Sequence, residues 1–90
     1  MYKHIDFHER AWNDYQYWQT QDKKTIKRIN DIIRDILRNG YEGIGKPEPL
    51  VGDLTGWWSR RIDDTNRLVY RLKDNDIIEI SQCKGHYTDR

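Results

Sequence analysis

The chain has one cysteine among its 90 residues, Cys83, which excludes an internal disulfide and fits a reducing compartment. No apolar run approaches the roughly 20 residues that a membrane-spanning helix needs. The first residues, Met1-Tyr2-Lys3-His4-Ile5-Asp6, lack the apolar stretch of a secretory signal. Charge of one sign is also missing: 16 Lys and Arg nearly balance 15 Asp and Glu, for a formal net charge of +1. Any attraction to nucleic acid must therefore come from a local patch. His4 and His8 are four apart but straddle a strand-to-helix junction and have no third ligand, so no metal is expected. No other pattern calls for a cofactor. No repeat or low-complexity segment divides the chain, and residues 1–90 read as a single cytoplasmic domain with no membrane partner.

What is present is an aromatic-rich, heavily charged chain. Hydrophobic residues make up 36% and charged residues 34%, so the core is lean. Four Trp and six Tyr enlarge it, because each ring buries a large area; the same rings could stack on bases. Tyr2 to Phe7 reads as a short edge strand. A first helix follows, started by an Asp6–Glu9 capping box or by His8, and is expected to bury Ala11, Trp12, Tyr15 and Trp18. Asp22 is a good N-cap for a second helix whose apolar face is Ile26, Ile29, Ile32, Ile33, Ile36 and Leu37. Lys23, Lys24, Lys27, Arg28, Arg34 and Arg38 fill much of its outer side, as a solvated face or as a contact with structured RNA. Asn39-Gly40 closes that helix.

Residues 41–53 carry three glycines and both prolines and read as loop. Within them Pro47 and Pro49 flank Glu48, and together they restrict a carboxylate that a surface loop would normally let wander. From Trp57 the period changes to two. Residues 57–62, 67–72 and 77–84 read as strands separated by turns at Asp63-Asp64-Thr65-Asn66 and Asp74-Asn75-Asp76. In the second of these, Leu68, Tyr70 and Leu72 alternate with Arg67, Val69 and Arg71, so one face meets helices and the other shows arginines. The expected class is α+β: an antiparallel sheet of an N-terminal strand and three C-terminal strands, with two helices packed on one face.

Three residues distant in sequence offer complementary chemistry. Glu48 is a proton acceptor at neutral pH, Arg67 a permanent planar cation, and His86 a group able to donate a proton. Cleavage of RNA through its own 2′-hydroxyl needs a base for that hydroxyl, positive charge around the phosphorane and an acid for the departing 5′-oxygen. Each residue also has an ordinary explanation: a solvated loop carboxylate, an exposed or ion-paired strand arginine, an exposed terminal histidine. Tyr87 could stack on a base or bond a phosphate, or simply pack at the chain end. Cys83 is a conceivable thiolate nucleophile, though a small buried hydrophobe is the commoner role. Ser59 and Ser81 have no recognisable His-acid partners.

The segments Lys46-Pro47-Glu48-Pro49-Leu50, Gly56-Trp57-Trp58-Ser59-Arg60-Arg61-Ile62, Arg67-Leu68-Val69-Tyr70 and Cys83-Lys84-Gly85-His86-Tyr87 resemble the YoeB/Txe toxins of the RelE/ParE superfamily. Trp12-Asn13-Asp14-Tyr15-Gln16-Tyr17-Trp18 and Asp22-Lys23-Lys24 match the same family's first helix and turn, so the resemblance spans nearly the whole chain. It implies a RelE-like fold and the toxin of a bacterial type II toxin–antitoxin pair. Such toxins enter the ribosomal A site and cut the messenger there, leaving a 2′,3′-cyclic (or 3′-) phosphate and a 5′-hydroxyl. By match to the motifs, Glu48 is the general base, Arg67 the phosphate-stabilising cation, His86 the general acid and Tyr87 a substrate-placing residue. Lys46, Arg60 and Arg61 would support substrate binding. Two positions depart from the family: Gly85 stands where a second aromatic is usual, and Thr88-Asp89-Arg90 follow Tyr87.

The partners implied are a YefM-like antitoxin, the 16S RNA and A-site messenger of the ribosome, and DNA only indirectly through the antitoxin. The antitoxin is expected to bring a disordered acidic tail that folds over the arginine face. A homodimer is also compatible with the sequence, with Trp57 and Trp58 as candidate exposed contacts. Two other functions remain to be weighed. One is a ParE-like toxin that binds DNA gyrase without cutting RNA; the other is a non-catalytic partner of the antitoxin.

Overall fold

The computed structural model describes residues 4–74 and 76–87. The elements in chain order are β1 (His4–Phe7), α1 (Glu9–Gln21), α2 (Lys23–Asn39), β2 (Glu48–Pro49), a single 3-10 turn (Gly52–Leu54), β3 (Trp58–Arg61), β4 (Arg67–Lys73) and β5 (Ile77–Gln82). Tyr2 at the start of the expected first strand, Asn75 of the second turn and the Thr88-Asp89-Arg90 tail lie outside the described residues.

The helical hairpin is set by Asp22, which ends α1 and caps α2. Its Oδ1 accepts the N–H groups of Lys24 and Thr25 at 3.0 and 3.3 Å, and its Oδ2 accepts the Thr25 hydroxyl. These bonds satisfy donors that a helix start leaves open, and they hold the Asp22 carboxyl below the usual range. Of the two start points expected for α1, the chain uses His8, but without a side-chain cap. The His8 ring instead donates from Nε2 to Glu79 Oε2 at 3.0 Å. α2 ends where Gly40 adopts φ 67° and donates to the Ile36 carbonyl at 2.9 Å.

Ile29, Ile32, Ile33 and Ile36 of α2 and Ala11 of α1 bury against Leu68, Tyr70, Ile78 and Ile80 of the sheet. Tyr15 and Trp18 pack against the margin of this core. Trp12 does not join it and is 48% exposed. Ala11, Tyr15 and Trp18 already fill the narrow stripe that a 13-residue helix presents. Trp12, one step round, packs on Phe7 and Tyr15 instead.

Two sheet expectations need correction. The sheet has five strands in the order β1-β5-β4-β3-β2 and is mixed, because β1 pairs parallel to β5 from His4↔Ile77 to Phe7↔Ile80. Tight turns dictate antiparallel pairing only between consecutive strands. β1 and β5 are separated by nearly the whole chain, so no turn sets their direction. The fifth strand is β2, read from sequence as loop; Glu48 and Pro49 pair antiparallel with Ser59 and Trp58. A proline is tolerated there because β2 is an edge. Trp57 and Trp58 also differ from expectation: both are half-buried. Trp58 stacks on Tyr41 at 4.3 Å, and Trp57 carries the Arg71 guanidinium at 4.3 Å.

One buried side chain ties the long loop to this frame. Arg60 on β3 has no exposed surface, and all five of its N–H donors are used. Nε donates to the Tyr70 hydroxyl, Nη1 to Asp35 Oδ2 and the Ile44 carbonyl, and Nη2 to the Gly40 and Glu42 carbonyls. Asp35 in turn accepts the Ile44 N–H at 3.1 Å and the Asn39 amide at 2.9 Å. In residues 40–44, which have no regular structure of their own, the Gly40, Glu42 and Ile44 carbonyls and the Ile44 N–H thus find partners in a single guanidinium–carboxylate pair.

Replacing Arg60 by Met should cost roughly 2–4 kcal/mol, somewhat below the ~3–5 for breaking a fully buried pair because Asp35 keeps some exposure. Urea unfolding measures it. Acid should reveal the same network. Burial pushes the Asp35 carboxyl up, but the bonds from Arg60, Ile44 and Asn39 outweigh it and hold it low. The Arg71 and His8 bonds hold Glu79 low against its own burial. Carboxyls depressed in the folded state stabilise it above their unfolded pKa values of about 4 and lose that contribution as pH falls through the folded ones. Stability should therefore fall below about pH 4, and less steeply in Asp35→Asn, as followed by thermal melting from pH 7 to pH 3.

Candidate active site

Strand register decides which functional side chains share a face. Residues directly opposite in an antiparallel pair lie on the same side of the sheet. Glu48 is opposite Ser59, and Ser59 is opposite Val69. In the next row on that side, Arg61 is opposite Arg67. Arg60, Leu68 and Tyr70 point the other way, into the helices. The face away from the helices therefore carries Glu48, Arg61 and Arg67 at one end.

Glu48 is exposed and lines a cleft of about 600 Å³ together with Pro49, Leu50, Val51, Asp53, Leu54 and Tyr87. Its backbone is held from both directions. Arg60 fixes residues 40–44, and the Arg61 N–H donates to the Gly45 carbonyl. Beyond it, the Leu50 N–H donates to the Trp57 carbonyl and the Trp57 N–H to the Leu54 carbonyl. Lys46 is exposed and takes φ 51°, a left-handed conformation that turns the chain into β2.

Arg67 opens β4 and is only 8% exposed. Its Nη1 donates to the Asp63 and Asn66 carbonyls at 2.7 and 3.1 Å. Nε and Nη2 make no hydrogen bond among the described residues, so one edge of the planar fork stays available for two phosphate oxygens.

The segment that ends in His86 and Tyr87 is fixed from two sides. From α1, Trp18 Nε1 donates to the Cys83 carbonyl at 2.8 Å, Asp14 Oδ2 accepts the Cys83 N–H at 3.0 Å, and Arg10 Nη2 donates to the Lys84 carbonyl at 3.2 Å. From β4, Asn66 Oδ1 accepts the Gly85 N–H at 2.7 Å, and the Arg67 N–H donates to the Gly85 carbonyl at 3.0 Å. Gly85 has φ 78°, where a side chain is strained. It therefore lets the chain turn so that both its amide groups bond to Asn66 and Arg67, next to the cation. His86 and Tyr87 are half-buried, with ring centroids 4.2 Å apart.

The structure thus brings Glu48 and Tyr87 to one cleft and anchors the His86 segment on the backbone of Arg67. Arg61 is exposed on the Arg67 row, and Lys46 precedes Glu48 on the same loop. Arg60 is different: buried, facing the helices and with every donor occupied, it offers no group to a substrate. Its place is structural. Arg10, Asp14 and Asn66, which position the His86 segment, are not among the residues expected from the sequence. The signal for the first two was present, since Arg10, Asp14 and Trp18 are spaced four and four and so share a helix face.

Cys83 is buried, and its thiol is pushed up to about 12, chiefly by that burial. It supplies no thiolate near neutrality. Native protein at pH 7.5 should resist iodoacetamide for hours and react only when unfolded, as intact-mass spectrometry would show. Among the described residues no group of His, Cys, Asp and Glu is placed to hold a metal, and no helix is long and apolar enough to cross a membrane.

Residues 7–87 match the family described as "YoeB-like toxin of bacterial type II toxin-antitoxin system". The chain is 53% identical over 83 residues to the Streptomyces coelicolor protein named Toxin YoeB, covering 92% of this chain and 98% of that one. In structure it is similar to a YoeB/ParE toxin from Agrobacterium tumefaciens (TM-score 0.90, 42% identity, 94% and 100% covered). It is also similar to a YoeB dimer from Staphylococcus aureus (TM-score 0.88, 49% identity, 97% and 100% covered). The toxin in a YoeB–YefM complex from the same organism matches too (TM-score 0.86, 49% identity, 97% and 99% covered). This chain belongs to the YoeB-like toxin family of bacterial type II toxin–antitoxin systems.

Proposed function

We propose that this toxin is a ribosome-dependent endoribonuclease that cuts messenger in the A site through the messenger's own 2′-hydroxyl. The observation that supports this reading is a carboxylate and a phenol, Glu48 and Tyr87, on one cleft, with Arg67 on the same face of the sheet as Glu48 and its backbone bonded to the segment that leads to His86. Glu48 takes the 2′-hydroxyl proton, and the attacking oxygen closes on the adjacent phosphorus. Arg67 directs Nε and Nη2 at the non-bridging oxygens, where negative charge grows in the transition state. His86 gives its proton to the departing 5′-oxygen, and Tyr87 holds the nucleotide in line. The proton leaves one oxygen and another reaches the second, so atoms balance without a covalent enzyme intermediate. Arg61 and Lys46 supply positive charge to flanking phosphates. Arg60 supports the site indirectly by holding the loop that leads to Glu48.

A YefM-like antitoxin and a second copy of the chain are the proposed protein partners, by analogy with the Staphylococcus aureus proteins. The ribosome is the proposed site of action. An acidic antitoxin tail would fit the Arg61–Arg67 row and cover the groups that cleave.

On purified ribosomes loaded with a defined messenger, Glu48→Ala, Arg67→Ala and His86→Ala should each lower the cleavage rate by about 10²–10⁴-fold. Circular dichroism should report an unchanged fold for Glu48→Ala, whose side chain is exposed. Wild-type cleavage by folded His86→Ala would remove the histidine from the acid role.

A further inference from the structure

The cleft beside Glu48 has a composition that proton transfer alone does not require. Pro49, Leu50, Val51 and Leu54 give it an apolar wall, with Tyr87 also on its lining. Leu50 is buried, whereas Val51 is 85% exposed, the most exposed large hydrophobic residue among those described. An apolar side chain held open to water beside a phenol ring suits a flat aromatic guest, and about 600 Å³ accommodates a nucleobase with its sugar.

Within this lining lies a second carboxylate, Asp53, in the 3-10 turn Gly52–Leu54. It makes no hydrogen bond or ion pair among the described residues. Two carboxylates on one cleft repel a polyanion, so Asp53 opposes phosphate binding. What an ionised carboxylate can do is accept hydrogen bonds from N–H groups.

The four RNA bases differ in how they meet two side-by-side acceptors. The Watson–Crick edge of guanine presents adjacent donors, N1–H and the 2-amino group, one for each carboxylate oxygen. Adenine and cytosine each place an acceptor nitrogen beside their amino group, which faces the second oxygen unfavourably. Uracil flanks its single N–H with two carbonyls. We infer that Asp53 is a specificity-determining residue that selects guanine as the base of the nucleotide whose 2′-hydroxyl Glu48 deprotonates. The base lies against the Val51–Leu54 wall with its Watson–Crick edge toward Asp53. This rests on the proposed ribonuclease reading, and it adds the identity of the base 5′ to the cut.

The test uses wild type and Asp53→Asn on ribosomes programmed with four messengers that differ only at the nucleotide 5′ to the cleavage site. The exposed, isosteric change leaves the fold intact, which a thermal melt verifies. An amide offers one acceptor and one donor, which meets an adjacent donor and acceptor on any of the four bases, so the carboxylate's preference for the two adjacent donors of guanine disappears. Wild type should cut after guanine at least about fivefold faster than after any other base, the lower end of what one bidentate pair discriminates. Asp53→Asn should lose that lead and gain on adenine. Equal rates after all four bases, or a uniform change in Asp53→Asn, would overturn the assignment of Asp53 while leaving the ribonuclease intact. No cleavage of any messenger by wild type would instead overturn the ribonuclease reading itself.

Discussion

The loop that leads into the proposed base depends on one buried cation. Between the end of α2 and the start of β2 the chain runs through a loop too short of apolar residues to fold by burial. Arg60 supplies what burial does not, with a donor for each of the Gly40, Glu42 and Ile44 carbonyls, and it anchors itself on Asp35 and Tyr70. A lysine could not do this, because its three donors radiate from one atom and cannot reach partners spread around a plane. The arrangement works because β3 presents Arg60 to the helices and, one residue earlier, Ser59 to the opposite face where it pairs with Glu48. A single short strand thus holds the loop from one side and the Glu48 edge from the other.

The segment that carries His86, the proposed acid, is held by a different device. It has little regular structure after Gln82, yet the backbone of Cys83, Lys84 and Gly85 is hydrogen-bonded residue by residue to α1 and to the Asn66–Arg67 step. Two polar clamps, one around Arg60 and one at the Asn66–Arg67 step, therefore position Glu48 and the His86 segment. The apolar core fixes the platform, and the polar clamps fix what stands on it. Such a division suits a small domain, in which a lean core cannot also dictate the shape of its loops.

Much of this was legible in the sequence. The alternation of Leu68, Tyr70 and Leu72 with arginines gave the two faces of β4, and Asp22 gave the helix junction. The prolines around Glu48 signalled a constrained carboxylate, though not that the constraint is a two-residue edge strand. Other features were not legible for physical reasons. Pairing of β1 with β5 joins segments that no local turn relates, so its parallel sense has no local signature. Arg60 and Arg61 are adjacent and chemically alike, and only strand alternation sends one to the core and the other to solvent. An off-by-one uncertainty in strand phase is enough to confuse a buried structural arginine with a solvent-facing one. Gly85 reads in sequence as a missing aromatic, whereas its φ of 78° makes it a turn whose carbonyl bonds to Arg67.

In the proposed reaction the site cuts RNA by activating the substrate's own 2′-hydroxyl. The direct measurement replaces that hydroxyl by hydrogen at the one nucleotide 5′ to the cut, in an otherwise unchanged messenger on purified ribosomes. The all-ribose messenger should be cleaved to a 2′,3′-cyclic phosphate and a 5′-hydroxyl, and the singly deoxy-substituted one, if the 2′-hydroxyl is the nucleophile, should stay intact. Cleavage of the substituted messenger at a comparable rate would contradict it.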